Sequence, residues 1–166
     1  DVAILFTDLV GFSDWALQAG DDASLELLRQ VGDAEQRAVS DNGGAVVKRL
    51  GDGSMAVFSR AEQAVGAALE AQEGAGGIEV EGYAPSLRAG IHQGRPQKVK
   101  GDFLGIDVNI AARVGDAAKG GEVLISGAAR EQLDKSAFRF GRSRPLEAPG
   151  APSDLTVCSV KAKRAR

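Results

Sequence analysis

AVVKRLGDGSMAVFS, residues 45–59, reads as two short strands folded back on each other. Ala45, Val46, Val47 and Leu50 on one side, and Met55, Ala56, Val57 and Phe58 on the other, have the apolar, β-branched character of paired strands. Between them Gly51-Asp52-Gly53 has the residues of a tight turn. Upstream, DDASLELLRQVGDAEQRAVSDNGG (21–44) has an acidic start, Leu25, Leu28 and Val31 at helical spacing, and an Asn-Gly-Gly stop. Before it, an apolar strand over residues 2–9 runs into a helical region broken near Gly20. Downstream, the alanine-rich helix AEQAVGAALEAQEGAGG (61–77) precedes the strand SLRAGIHQGRPQKV (86–99), punctuated by Gly94 and Pro96. The order β-α-β-β-α-β predicts an α/β sandwich with a ferredoxin-like core.

A C-terminal extension follows. GIDVNIAARVGDAAKGG (105–121) is a helix with Ile106, Ile110 and Val114 on one stripe, EVLIS (122–126) a strand, and GAAREQLD (127–134) a short helix. FRFGRSRPLEAPGAPSDLTVCSV (138–160) is a set of strands around a Pro/Gly-rich loop. Residues 1–166 show no repeat or linker and are read as one domain, large enough to bury a core without disulfides.

With 43% hydrophobic and 26% charged residues the chain is globular, and its net charge of −3 argues against a general nucleic-acid binder. The basic tail KAKRAR (161–166) is read as a solvated terminus. One cysteine, Cys158, and one histidine, His92, exclude a disulfide framework and make zinc chemistry or a Ser-His-Asp triad poor expectations. The absence of a signal peptide or a membrane-length apolar run makes the cytoplasm the expected location. Because the chain opens inside a strand pattern, it is expected to be a domain cut from a longer protein.

Asp8 ends an otherwise apolar strand, and a buried carboxylate needs a cation or a proton. In a ferredoxin-like core the first strand and the hairpin are neighbours, so Asp8 and Asp52 can converge. Paired hard oxygen ligands suit Mg²⁺ or Mn²⁺ and phosphoryl chemistry. The structural alternative for Asp8 is a helix cap or an ion pair with Arg49 or Arg88. Asn109 and Arg113 form an i,i+4 pair on the polar side of their helix, suited to a ribose oxygen and a phosphate or simply to solvent. Lys48 stands in an apolar strand, where lysine is often an edge guard. His92 and Arg88 read as structural, and Trp15, Met55 and Cys158 as core or near-core residues.

FTDLVGFS (6–13) and KRLGDGSMAVF (48–58) resemble the two metal-binding motifs of the class III nucleotidyl cyclases, the adenylyl and guanylyl cyclase catalytic domain. LRAGIHQGRP (87–96) resembles that family's central strand and GDFLGIDVNIAARV (101–114) its signature helix. The resemblance implies an adenylyl cyclase that converts ATP to 3′,5′-cyclic AMP and pyrophosphate by two-metal, in-line attack of the ribose 3′-hydroxyl. It implies that Asp8 and Asp52 hold two divalent cations, Mg²⁺ or Mn²⁺, and that Lys48 and Asp102 read the purine. Asn109 and Arg113 would orient the ribose and stabilise the transition state, and Arg95 would contact phosphate.

It further implies a head-to-tail homodimer with shared sites and a regulatory domain in the parent protein. Asp8, Asp52 and Arg95 would come from one chain, and Lys48, Asp102, Asn109 and Arg113 from the other. Lysine only donates and ionised aspartate only accepts, which matches adenine and opposes guanine. The structural alternative for Asp102 is an ordinary turn residue after Gly101. Where the family commonly has a triphosphate-contacting lysine, RSRPLEAPG (142–150) aligns Glu147, with Arg142 or Arg144 as substitutes. The alternatives are a guanylyl cyclase, a weak or inactive nucleotide-binding or dimerisation module, and a palm-type polymerase or cyclic-dinucleotide synthase.

Overall fold

A computed structural model describes residues 1–163; the last three residues of the basic tail lie outside it. The first strand, β1 (Val2–Val10), leads through α1 (Phe12–Ala19) and α2 (Asp21–Asp41) to the hairpin β2 (Ala45–Leu50) and β3 (Gly53–Phe58). Then come α3 (Ala61–Gly76), β4 (Ser86–Gly94), the small hairpin β5 (Gln97–Val99) and β6 (Asp102–Leu104), and α4 (Ile106–Ala117). The extension is β7 (Val123–Ser126), α5 (Gly127–Glu131), β8 (Phe138–Phe140), β9 (Arg144–Pro145) and β10 (Thr156–Ala162).

The main sheet runs β2-β3-β1-β4-β7-β10-β8, with β9 also paired to β10. Its first four strands have the expected ferredoxin-like arrangement, and β1 is antiparallel to both β3 and β4. The extension lengthens the sheet through β7, parallel to β4. One departure is that residues 86–99 break after Gly94, and 97–99 form a separate two-stranded hairpin with β6.

Alternation along β1 sorts its side chains between two layers. Ala3 and Leu5 face the alanine-rich α3, whose small residues let it lie close to the sheet. Ile4 and Phe6 face α4 with Met55, Ala111 and Val108. Thr7 is therefore turned toward the α2–α3 layer and Asp8 toward α4. Two glycines set how closely the elements meet. A Cβ at Gly90 would lie 2.1 Å from the Gly115 nitrogen, so α4 rests directly on β4. A Cβ at Gly53 would lie 2.0 Å from the Thr7 carbonyl oxygen, so the hairpin turn closes tightly on the end of β1. Among the described residues, no helix is long and apolar enough to cross a membrane.

Candidate active site

Asp8 and Asp52 converge as the sequence predicts. Both line a cavity of about 260 Å³ with Phe6, Leu50 and Arg88, roofed by Ala112, Gly115 and Asp116 of α4. Asp8 is the cross-strand partner of Arg88. The Arg88 Nη2 donates to Asp8 Oδ2 at 2.7 Å, and its Nη1 donates to the Asp116 carbonyl oxygen at 3.0 Å. Of the ion pairs open to Asp8, the one with Arg88 forms; Arg49 instead turns to Glu35 and the Gly32 carbonyl.

Burial raises the Asp8 carboxyl, but hydrogen bonds with Asp52 and Arg88 and the Arg88 charge outweigh it, leaving Asp8 below the usual range. Asp52 goes the other way: burial, then the hydrogen bond and charge of Asp8, push it up to about 7. Two adjacent carboxylates with one guanidinium between two strand ends carry an excess of negative charge. With Asp52 pushed up to about 7, the pair is partly protonated near neutrality, which offsets that charge. This donor set fits a hard divalent cation, which would take that proton's position, with water or phosphate oxygens completing its shell. No group of three or more His, Cys, Asp or Glu suited to a metal occurs among the described residues, so any further ligands would have to come from elsewhere.

Lys48 and Asp102 lie far apart in sequence, yet Lys48 Nζ donates to Asp102 Oδ2 at 3.1 Å. The Lys48 hydrogen bond, together with the Phe103 N–H, holds the Asp102 carboxyl below its ordinary range. A donor and an acceptor thus stand next to each other, both partly open to solvent. Asn109 and Arg113 occupy the exposed side of α4, Arg113 paired to Asp116 at 3.1 Å. They flank the cavity roof but do not line it.

Arg95, expected to contact phosphate from the same chain as the two aspartates, lies at the far end of the strand pair: β4 runs antiparallel to β1, so Arg95 follows the Val2↔Gly94 end of the ladder while Asp8 faces Arg88. Six positions along β1 separate the two ends, about 20 Å. Arg95 is exposed and pairs with Asp1. Arg88, read from sequence as structural, is the arginine that the register brings to the carboxylates. Glu147 is exposed after β9, and neither it nor Arg142 or Arg144 lines the cavity.

His92 does serve the architecture. It bonds Ser126 Oγ through Nδ1 at 2.7 Å and Asp107 Oδ1 through Nε2 at 2.9 Å, fastening the start of α4 to β4. Asp107 also accepts the Arg95 backbone N–H. Met55 and Cys158 are buried, and Trp15 stacks on Tyr83. Sequence reasoning missed Glu35, a buried acid behind the aspartates. Its one signal was an acidic residue on the same helical stripe as Leu28 and Val31.

The family model of the adenylate and guanylate cyclase catalytic domain matches residues 1–160. The chain is 28% identical, over 96% of its length, to the pH-sensitive adenylate cyclase MT1302 of Mycobacterium tuberculosis. It is 30% identical, over 89% of its length, to an adenylate cyclase of Streptomyces griseus. It spans 40% and 35% of those two relatives. Among solved structures it resembles the catalytic core of a rhodopsin-guanylyl cyclase with converted specificity in complex with ATPαS. That likeness has a TM-score of 0.89 at 21% identity and covers 98% of this chain and 96% of that one.

Proposed function

The chain belongs to the adenylate and guanylate cyclase catalytic domain family, and on that premise we propose that it converts ATP to 3′,5′-cyclic AMP and pyrophosphate. The Lys48–Asp102 pair carries the choice of base. Adenine offers an acceptor at N1 and a donor at N6, so each group exchanges its present partner for a matching atom of the base. Guanine would set donor against donor and acceptor against acceptor, at roughly 1–3 kcal/mol for each unpaired group. The mycobacterial and Streptomyces relatives described as adenylate cyclases support the same choice.

Asp8 and Asp52 would hold Mg²⁺ or Mn²⁺, two ions per site. When bound, such ions acidify the ribose 3′-hydroxyl and neutralise the triphosphate. The chain's own side chains position and stabilise. Arg88 fixes the Asp8 carboxylate. Asn109 donates to a ribose oxygen, and Arg113 to the phosphate as charge develops on it. The 3′-oxygen bonds to the α-phosphorus as the bond to pyrophosphate breaks, and the hydroxyl proton passes to solvent.

A cavity of about 260 Å³ is small beside the roughly 300–1,000 Å³ of pockets that enclose whole ligands. Asn109 and Arg113 are exposed and do not line it. Both observations support a site completed by a second copy placed head to tail, one chain giving Asp8, Asp52 and Arg88 and the other Lys48, Asp102, Asn109 and Arg113. Such a homodimer has two equivalent sites. Use of ATP would place the domain in the cytoplasm or the cytoplasmic part of a larger protein, and a regulatory domain in a parent protein belongs to the same reading. The test is incubation with ATP or GTP and Mn²⁺ or Mg²⁺, followed by chromatography. Cyclic AMP as the main product supports the reading; cyclic GMP in excess, or no cyclic product, overturns it.

A further inference from the structure

Glu35 is 2% exposed, and it is the one acid buried to that degree among the described residues. It sits in α2 among inward-facing Leu27, Val31, Ala38 and Val39, where an apolar side chain would avoid the cost of burying a carboxylate. Its contacts show what the carboxylate does instead. Thr7 Oγ1 donates to Glu35 Oε2 at 2.9 Å, and Ser54 Oγ donates to the same oxygen. The two hydroxyls lie 2.9 Å from each other, and Arg49 Nη1 stands 3.5 Å from Oε2.

Thr7 and Ser54 are cross-strand partners, the last pair in the β1–β3 ladder. Beyond them the chain continues to Asp8 on one strand and, through Gly53, to Asp52 on the other. Strand alternation sends Thr7 to the α2 side and Asp8 to the α4 side. Glu35 thus grips the two strand ends from behind the sheet, where the ladder has run out.

We propose that Glu35 is a positioning residue for the Asp8–Asp52 pair: its buried carboxylate ties the Thr7 and Ser54 hydroxyls together and so fixes the spacing at which the two aspartates meet a divalent cation. The proposal rests on the reading of Asp8 and Asp52 as cation ligands. Supporting contacts of this kind behind a metal site change affinity by roughly 10- to 100-fold when removed.

The test measures Mn²⁺ binding by electron paramagnetic resonance, with 3′-deoxy-ATP present so that no cyclisation occurs. Melting curves of each variant confirm folding. Glu35→Leu should weaken Mn²⁺ binding roughly tenfold or more. Glu35→Gln keeps an oxygen acceptor for both hydroxyls and should stay near wild type. Val31→Ala, which loosens the same helix without touching the hydroxyls, should leave Mn²⁺ affinity unchanged while lowering the melting temperature. If Glu35→Leu does not fold, Thr7→Val removes one link and should weaken binding about fivefold, the worth of one hydrogen bond.

Asp8→Ala separates the two levels of the reading. If it binds Mn²⁺ as wild type does, the cation assignment fails and the proposal falls with it. If it loses binding while folded Glu35→Leu, or Thr7→Val in its stead, does not, the role of Glu35 alone is overturned. A loss in Val31→Ala equal to that in Glu35→Leu also overturns it, because Glu35 would then be acting only through the stability of α2.

Discussion

Cation binding should be steeply pH-dependent around neutrality, and the Asp8–Asp52 pair sets the size of the effect. With Asp52 pushed up to about 7, a cation entering the metal-free site must displace a proton at pH 6 but almost none at pH 8. For a group titrating near 7, the deprotonated fraction is about 0.1 at pH 6 and about 0.9 at pH 8. Apparent Mn²⁺ affinity should therefore rise about tenfold across that interval, about 1.4 kcal/mol. Calorimetry in buffers of different ionisation enthalpy reads both quantities. It should show about one proton released per site at pH 6 and about a tenth of one at pH 8. Asp52→Asn should bind weakly and without this dependence. A Mn²⁺ affinity constant from pH 6 to 8, or no proton release at pH 6, would refute this account of the pair's protonation.

The same shift has a consequence for metal-free stability. Asp52 binds its proton more tightly folded than unfolded, so its contribution is complete below its ordinary value of 3.8 and is lost as pH rises through about 7. Asp8, held low, contributes in the opposite sense: its stabilisation is present above its ordinary value and lost as pH falls through its lower folded value. Both groups are partly open to solvent, which shrinks each effect. Asp52→Asn should flatten the decline between those two pH values, read as melting temperature against pH.

Three further outcomes are expected. Lys48→Glu combined with Asp102→Ser should lower kcat/KM for ATP and raise the relative use of GTP; an unchanged ratio with activity retained would remove both from the purine pocket. Arg88→Ala should cut turnover by more than about tenfold by releasing Asp8, whereas Arg95→Ala should change it less than about twofold; equal losses would restore Arg95 to the site. Asp8→Ala and Asn109→Ala chains, each inactive alone, should recover roughly a quarter of wild-type activity when mixed and exchanged, because half the dimers then carry one intact site. Asp8→Ala mixed with Asp52→Ala should not recover, since every mixed site keeps one lesion.

The elements themselves were legible because their signals are local. Apolar periodicity over residues 21–41 and the Gly51-Asp52-Gly53 turn each act within a few residues, and the β-α-β-β-α-β order then leaves few ways to arrange the sheet. The convergence of Asp8 and Asp52 followed from that order alone, because β1 and β3 are neighbours in it. What depended on register was not legible. Arg88 and Arg95 lie on one strand segment in sequence, and only the antiparallel pairing with β1 shows which of them reaches Asp8. Strand pairing joins residues tens of positions apart, and a one-residue slip would turn every side chain to the other face.

Burial was hidden for a similar reason. In sequence Glu35 is one acid among several on a charged helix; only the packing of α2 against the end of the β1–β3 ladder seals it from water beside two hydroxyls. The Lys48–Asp102 contact likewise joins residues 54 positions apart, and no local pattern announces it. Sequence alone thus determined most of the elements and their order, the β5–β6 hairpin excepted, since short-range forces decide that. The tertiary structure decided which charges meet, because opposing charges on separate elements become partners only when packing has brought them within a few ångströms and excluded the water that would otherwise screen them.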